Sequence, residues 1–315
     1  MKHILIISIA ILFIFSSCEK KLDIDLPDSE KKIVVNGIVN PDSLMKVRIS
    51  KSMNVLDNGK IQYLSDATVK LFKDDTLLEE LTNLDSGYFQ SSVVPKINSD
   101  YKLTVDYSDL TSVSASIKLQ NPVQIMEIDT VSEMQFYNYG NGFIGTLYVM
   151  HFNIKISDNA NLTNFYFLSI SALTPLYEYD FNSGEYILVG YENNSIGLSS
   201  QDPVLSNSEH FILDSKSGIV FSDEMFNGTE YTLNVESYIQ KYREFEEQDE
   251  LGAMYYIELL TVTQDVYNYI TSYNLNQYTQ YDPFAQPVQI LSNVNNGLGL
   301  FSGYTMDVDS VYVEF

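Results

Sequence analysis

The clearest strand in the sequence reads Asp66-Ala67-Thr68-Val69-Lys70-Leu71-Phe72, in which apolar and polar side chains alternate. A glycine–aromatic turn follows at Gly87-Tyr88-Phe89, and a second alternating run, Tyr101-Lys102-Leu103-Thr104-Val105, comes after it. Alternation with a period of two places one set of side chains on each face of a strand. This order of strand, turn and strand predicts antiparallel β-structure.

Strand signals of similar length lie on both sides of these segments. Turn residues such as Asn40-Pro41-Asp42 and Asp85-Ser86-Gly87 separate them, because proline presets φ while glycine and asparagine allow positive φ. Their number and spacing predict a small antiparallel sandwich over residues 33–120. The predicted strands in this region are Ile33 to Val39, Met45 to Ser50, Ala67 to Phe72, Tyr101 to Tyr107 and Val113 to Leu119.

The order of these motifs resembles the carboxypeptidase-regulatory or transthyretin-like sandwich, an Ig-like fold of many envelope proteins. The resemblance rests on an A-x-V-x-L strand that starts at Ala67, the Gly87-Tyr88 turn and a Y-x-L-x-V strand that starts at Tyr101. It implies a structural or interaction module, because none of these motifs carries a catalytic residue.

A larger β-rich domain is predicted for residues 121–315, after a boundary at Asn121-Pro122 where proline favours an extended connection. One short helix is predicted near residues 264–273, where apolar side chains recur at the spacing of one helix face. The expected fold is therefore mainly β, with this helix packed on a sheet. The predicted strands here are Leu147 to Ile156, Phe165 to Ala172, Tyr186 to Tyr191, Glu209 to Leu213, Tyr231 to Ser237 and Met254 to Thr263.

The N-terminal residues predict an export signal. Lys2 and His3 precede an apolar run from Ile4 to Phe15, which is shorter than the roughly 20 residues that span a bilayer. Small residues then lead to Cys18, the only cysteine in the chain. This order resembles a lipobox, in which the cysteine is lipidated and becomes the new N-terminus.

Residues 1–17 are accordingly predicted to be a lipoprotein signal peptide, and Cys18 is predicted to carry lipid, with palmitate as an expected acyl chain. Acylation would anchor the protein to a membrane stably. Residues 18–32 are rich in charge and poor in apolar side chains, so they are predicted to form a flexible tether. An incidental cysteine in an ordinary cleaved signal peptide is the alternative interpretation.

Composition narrows the range of partners. The formal net charge of −24 repels phosphate backbones, which disfavours nucleic-acid binding. Membrane attachment should for the same reason depend on the lipid rather than on a basic patch. The sequence lacks HExxH, GxSxG and glycine-rich phosphate-loop motifs, so no metal or cofactor is expected and the protein is expected not to be an enzyme.

The best catalytic fragment is His210, which has several carboxylates near it in the sequence. An envelope hydrolase that uses His210 is one alternative function, because a histidine oriented by a carboxylate is the usual general base of hydrolases. The acidic residues near it are Asp202, Glu209, Asp214, Asp223 and Glu224.

Tyrosine is abundant, with 24 residues, whereas tryptophan is absent. Tyrosine combines a broad apolar face with a polar tip and is enriched at interfaces. Four tyrosines beside glycine- or glutamine-rich loops, Tyr137, Tyr139, Tyr278 and Tyr281, are predicted to bind a ligand or partner, because loops are where partners usually dock.

The segment from Asp282 to Phe301 is the most distinctive part of the chain. Asn296-Gly297 and Gly299 suit a tight turn or a close backbone approach. The apolar residues that flank them are predicted to be alternating core positions. These residues are Val288, Ile290, Leu298, Leu300 and Phe301.

Together with Phe221 to Gly228 and the early Val34-Val35-Asn36-Gly37, this segment closely resembles the Bacteroidota lipoprotein family catalogued as domain of unknown function 4249. The resemblance implies an outer-membrane lipoprotein, often encoded beside a TonB-dependent receptor, and it supplies no catalytic residue. The expected function is an accessory or ligand-binding partner of such a transporter in nutrient uptake. A structural or adhesive surface protein is a further alternative, and surface exposure is preferred over the periplasmic face.

Overall fold

The structure, a computed structural model, describes residues 30–54, 59–138, 144–160, 162–205, 209–241, 252–280 and 284–314. The predicted signal peptide, the lipidation site Cys18 and most of the tether lie outside these residues, as do Tyr139 and Tyr281. In the described part of the chain the protein is mainly β, with antiparallel sheets in a sandwich-like arrangement and one helix, which confirms the predicted fold class.

The N-terminal strands form two sheets around one apolar core. Strands β3, β4, β7 and β8 pair in the order β4-β3-β7-β8, while β1, β2, β5 and β6 belong to a larger sheet. Alternate side chains such as Val69, Leu103 and Ile49 are buried between the sheets. The strands are β1 Ile33–Val39, β2 Lys46–Lys51, β3 Thr68–Lys73, β4 Thr76–Glu80, β5 Thr82–Asn83, β6 Tyr88–Gln90, β7 Asp100–Tyr107 and β8 Leu110–Lys118.

The C-terminal part packs a three-stranded sheet, β15-β10-β9, against the larger sheet. Phe152, Tyr166 and Tyr255 are among the buried side chains of the core between them. The strands are β9 Ile125–Asn138, β10 Ile144–Ser157, β11 Phe165–Asp180, β12 Glu185–Ser195, β13 Glu209–Leu213, β14 Lys216–Ser222, β15 Glu230–Lys241, β16 Gly252–Val262 and β17 Leu298–Glu314.

The single described helix, α1, runs over Gln264–Gln280. It is the helix predicted near residues 264–273, and it continues beyond the predicted end. The Thr263 hydroxyl accepts a hydrogen bond of 3.4 Å from the Val266 N–H, so threonine caps the first turn. Val266 and Ile270 are fully buried against the large sheet. No helix in the described part of the chain is long and apolar enough to cross a membrane.

Strand β17 joins the two parts of the chain. It pairs with β16 in antiparallel orientation and with β1 in parallel, with Val35 opposite Gly299, so one ten-stranded sheet contains strands from both predicted domains. The domain boundary at Asn121-Pro122 stays a prediction.

The close approach predicted near Asn296 and Gly299 is present at this junction. Gly299 has a φ of +100°, and a Cβ at this position would lie 2.1 Å from the Val35 carbonyl oxygen. Phe301 and Leu300 are buried as predicted, but the prediction that Leu298 is a core position was wrong, because its side chain is 37% exposed. The turn at Asn296 and the positive φ of Gly299 interrupt the alternation on which that prediction depended.

Candidate docking surface

Strands β11 and β12 continue beyond the sandwich as a two-stranded ribbon, residues 174–192, which we call the arm. The pairing of β11 with β16 ends at Leu173 opposite Met254, whereas its pairing with β12 continues to Asp180 opposite Glu185. Among the described residues, no other strand pairs with the arm. Its turn is closed by the Gly184 N–H, which donates to the Asp180 carbonyl oxygen at 2.8 Å, and Gly184 supplies the positive φ of +75°.

The alternation of side chains gives the arm two different faces. A bulge leaves Val189 unpaired, because Leu176 lies opposite Gly190 while Tyr177 lies opposite Leu188. The ring of Tyr179 lies 5.2 Å from the rings of both Tyr186 and Phe181 in edge-on contacts. The aromatic face of the arm consists of Pro175, Tyr177, Tyr179, Tyr186, Leu188 and Tyr191.

The opposite side, the acid face, consists of Leu176, Glu178, Asp180, Glu185, Ile187 and Glu192. No lysine or arginine occurs in the arm. The Asn182 backbone N–H donates to the Asp180 carboxylate at 2.9 Å and holds the pKa of that carboxyl below its ordinary value. The acid face is therefore negatively charged at neutral pH.

Apolar side chains of the arm are exposed on both faces and at the tip. Phe181 at the turn is 91% exposed, Leu176 on the acid face is 46% exposed and Tyr191 on the aromatic face is 64% exposed. A two-stranded ribbon without further strands is marginally stable in water. Large contiguous apolar surfaces on soluble domains usually mark interaction sites. These properties together make the arm a candidate docking element.

In a second hairpin, formed by β9 and β10, the end of β9 and the start of β10 lie at the same end of the sandwich as the arm. Asp158, just after the end of β10, accepts a hydrogen bond from Tyr166 near the start of β11, so the two strands run in opposite directions. The start of β10 and the end of β11 therefore lie at the same end. Phe136, near the end of β9, is 71% exposed.

The predicted partner-binding tyrosines are placed as follows. The backbone of Tyr137 lies in β9 near the tip of this second hairpin, whereas Tyr139 and Tyr281 lie outside the described residues. Tyr278 is on the last turns of α1, and its side chain is 67% exposed. Tyr278 therefore belongs to neither hairpin. The arm was not predicted as a docking element, although the run Tyr186-Ile187-Leu188-Val189 is visible in the sequence.

The predicted hydrolase residues have separate partners. His210 lies exposed on β13, and its backbone carbonyl accepts a hydrogen bond of 3.2 Å from the Asn274 side chain. Asp202 accepts from the Tyr231 hydroxyl at 2.7 Å, and Asp214 accepts from the Tyr304 hydroxyl at 2.7 Å. These acids stabilise neighbouring loops and strands, and no hydrogen bond or ion pair in the described part of the chain links them to the His210 side chain.

Carboxylates lie closer to His151 on β10, the other histidine among the described residues. Its Nδ1 lies 3.4 Å from Glu236 on β15, and its Nε2 lies 3.9 Å from Glu133 on β9. His151 and Glu236 line an open polar cleft of about 420 Å³ with Asn153, Gln201, Asp202, Pro203, Asn234 and Val235. His151, Glu133 and Glu236 could not be grouped from the sequence, because they lie on three strands, β10, β9 and β15. The described residues contain no cluster of three or more His, Cys, Asp or Glu side chains that could hold a metal ion.

The segment from Phe221 to Gly228 has a packing role. The Asp158 carboxylate accepts hydrogen bonds from the Gly228 N–H at 2.7 Å and the Asn164 amide at 3.0 Å. Asp223 is fully buried and accepts from the Asn164 N–H at 2.7 Å. Burial raises the pKa of Asp223, and burial together with Asp158 raises the pKa of Tyr166. These bonds tie the end of β10 to the start of β11 and to the turn before β15.

The fold and this surface define a mainly β, sandwich-like protein with an exposed apolar ribbon at one end. The chain belongs to the family described as Domain of unknown function (DUF4249), which matches residues 19–309.

No curated protein shows significant sequence similarity to the chain. Two crystal structures of BcpA, the major pilin subunit of Bacillus cereus, align at 13% and 12% identity with TM-scores of 0.18 and 0.17. Each alignment covers 74% of this chain and 65% of the pilin chain, so this chain spans less than two thirds of the pilin's length. Scores this low carry no argument about fold or function.

Proposed function

We propose that this protein is a non-enzymatic envelope lipoprotein that acts by binding another protein. In this proposal lipid on Cys18 anchors it to the outer membrane, with the cell surface as the preferred side. Its partner is a TonB-dependent outer-membrane transporter, and its role is that of an accessory protein in nutrient uptake. The lipobox and the resemblance to Bacteroidota lipoproteins support the location and the kind of partner.

The exposed arm is the observation that supports the proposed binding of another protein. Tyrosine, phenylalanine and aliphatic side chains lie on both of its faces and at its tip, and a large part of their apolar surface stays exposed in the monomer. Such side chains supply most of the binding energy when a partner covers them, since aromatic residues dominate interface hot spots. The second hairpin at the same end, with Phe136 exposed, extends the surface available to a partner.

An affinity pull-down of the full lipidated chain from detergent-solubilised outer membranes tests this function. We expect recovery of a TonB-dependent receptor in near-equal amount, and loss of the receptor from a Cys18→Ala preparation that is never anchored. Leu77→Ser on β4 is the control, because this side chain is 53% exposed and lies outside the arm, and it should leave recovery of the receptor unchanged. Recovery of the anchored protein alone would contradict the transporter complex and would direct attention to substrate screens with His151 and His210 variants.

A further inference from the structure

We propose that the arm binds in a groove of its protein partner that has one apolar wall and one basic wall. This inference deepens the proposed function, on which it rests, by giving the chemistry of the surface that receives the arm. Three features of the arm support it: the different side chains on its two faces, its negative charge, and the bulge at Val189 on the edge strand β12.

The aromatic face requires an apolar wall. Three tyrosines and Leu188 are joined across the two strands by direct pairings, including Tyr179 opposite Tyr186 and Tyr177 opposite Leu188. The rings of Tyr179 and Tyr186 are in edge-on contact, which restricts the movement of both side chains. Rigid aromatic side chains lose little conformational entropy when they are covered, so they are efficient contacts for an apolar surface.

The acid face requires a basic wall. Glu178, Asp180, Glu185 and Glu192 all project from this face, and the arm holds no cation that could neutralise them. Covering them with an apolar surface would strip charged groups of water without compensation, which is strongly unfavourable. Lysine or arginine side chains on the partner would instead form charge-assisted hydrogen bonds with them.

A groove fits the arm better than a flat surface does. Leu176 and Ile187 are 46% and 48% exposed among the acids, so apolar surface is present on both faces. A membrane surface covers one face of a ribbon and leaves the other in water, and an anionic leaflet repels the acids. Only an occupant that contacts both faces buries the whole apolar surface.

A second copy of the chain is also a poor occupant. Each copy has a formal charge of −24, and two arms in contact would bring their carboxylates together. Edge-to-edge pairing through β12 is opposed by the bulge at Val189, because a bulge disrupts the ladder that an added strand needs. The charge distribution therefore favours a different protein with basic side chains.

Site-specific photo-crosslinking in intact cells tests the groove. A photoreactive phenylalanine analogue replaces Tyr186 on the aromatic face or Ile187 on the acid face of the full lipidated chain. The control position is Leu77 on β4, which is 53% exposed and lies outside the arm. We expect both arm positions to crosslink to one and the same protein, at peptides rich in apolar residues for Tyr186 and in lysine or arginine for Ile187. Crosslinking from one face only, to a second copy or to lipid would overturn the proposal.

Affinity measurements with the crosslinked partner provide the second readout. Tyr179→Ser with Tyr186→Ser should weaken binding about 30-fold, the effect of losing an interface hot spot. Glu178→Lys with Glu185→Lys should weaken binding at low salt, and the loss should shrink as salt is raised. Glu80→Lys on β4 with Asp109→Lys in the turn between β7 and β8 adds the same charge at exposed positions outside the arm and should leave binding unchanged. Equal weakening by both charge variants would contradict a basic wall.

The outcomes separate this inference from the proposed function. If a TonB-dependent receptor co-purifies but neither arm position crosslinks to it, the proposed binding of the arm in a groove is refuted, while the proposed accessory function is supported. If both faces crosslink to another protein and no receptor is recovered, the groove stands and the transporter assignment fails. Circular dichroism and melting temperature of each variant show whether a loss of binding comes from unfolding.

Discussion

Replacing Gly299 with alanine should destabilise the protein strongly, because two independent costs arise at this position. The residue has a φ of +100°, a region that disfavours residues with a Cβ and costs about 1–3 kcal/mol when one is forced into it. The new Cβ would also lie 2.1 Å from the Val35 carbonyl oxygen and 3.1 Å from the Asn36 side-chain oxygen.

Real Cβ atoms do not approach backbone oxygen closer than 3.0 Å, so β1 and β17 must separate by about 1 Å at this point. Separation weakens the neighbouring ladder hydrogen bonds, each worth about 1 kcal/mol net. The two costs together give an expected loss of about 3 kcal/mol in the free energy of unfolding. With an unfolding entropy of about 2 cal/mol/K per residue, that loss corresponds to a fall of roughly 5 °C in melting temperature for a chain of this size.

Urea denaturation followed by far-ultraviolet circular dichroism measures this loss. The matched control is Gly190→Ala on β12, where no atom lies within 4 Å of an added Cβ and φ is not positive. The control should change the free energy of unfolding by less than about 0.5 kcal/mol. If Gly299→Ala were as stable as the wild type, the parallel pairing of β1 with β17 in this register would be refuted.

Three further predictions concern buried side chains. Tyr166→Phe removes the hydroxyl that donates to Asp158 and should cost about 1–3 kcal/mol in urea denaturation, because the acceptor loses a partner. Asp223→Asn should flatten the pH dependence of the free energy of unfolding. Burial raises the pKa of Asp223 in the folded state, so the carboxyl stabilises the fold fully below its unfolded pKa of about 4. This stabilisation is lost as the pH rises through the folded-state pKa. Denaturation at a series of pH values checks this, and an unchanged slope would count against it. Phe301→Ala should cost about 3–5 kcal/mol, since the ring is fully buried, and a loss below 1 kcal/mol in thermal melts would contradict its core position.

Local pattern was sufficient to predict most strands. Alternating runs such as Tyr101 to Tyr107 lie on strands whose one face is buried, and there the period of two is a direct consequence of burial. The helix was visible for the same reason, because Val266 and Ile270 recur at helical spacing and pack on the sheet. The C-terminal end of the helix, at Gln280, could not be predicted from this spacing, because the last turns carry few buried side chains.

The features that were missed arise from contacts between distant residues or from the absence of such contacts. The pairing of β1 with β17 joins residues separated by most of the chain, and no local pattern reveals it. The arm illustrates the opposite case. The run Tyr186-Ile187-Leu188-Val189 is continuously apolar, which is typical of a strand buried on both faces, yet both faces are exposed. A sequence pattern records that side chains are apolar, and it does not record which molecule covers them.

The central position of β17 determines when the fold can form. Its neighbours are β16 on one side and β1 on the other, so the large sheet stays divided into two parts until β17 has paired with both. Bringing β1 and β17 together closes a loop of more than 250 residues, a slow step for a parallel, non-local pairing. Until that closure, both halves keep open strand edges that can pair wrongly. Refolding from denaturant is therefore expected to be slow and prone to aggregation until β17 has paired, and deleting β17 should lower the yield of folded protein more than deleting an equal length of surface loop.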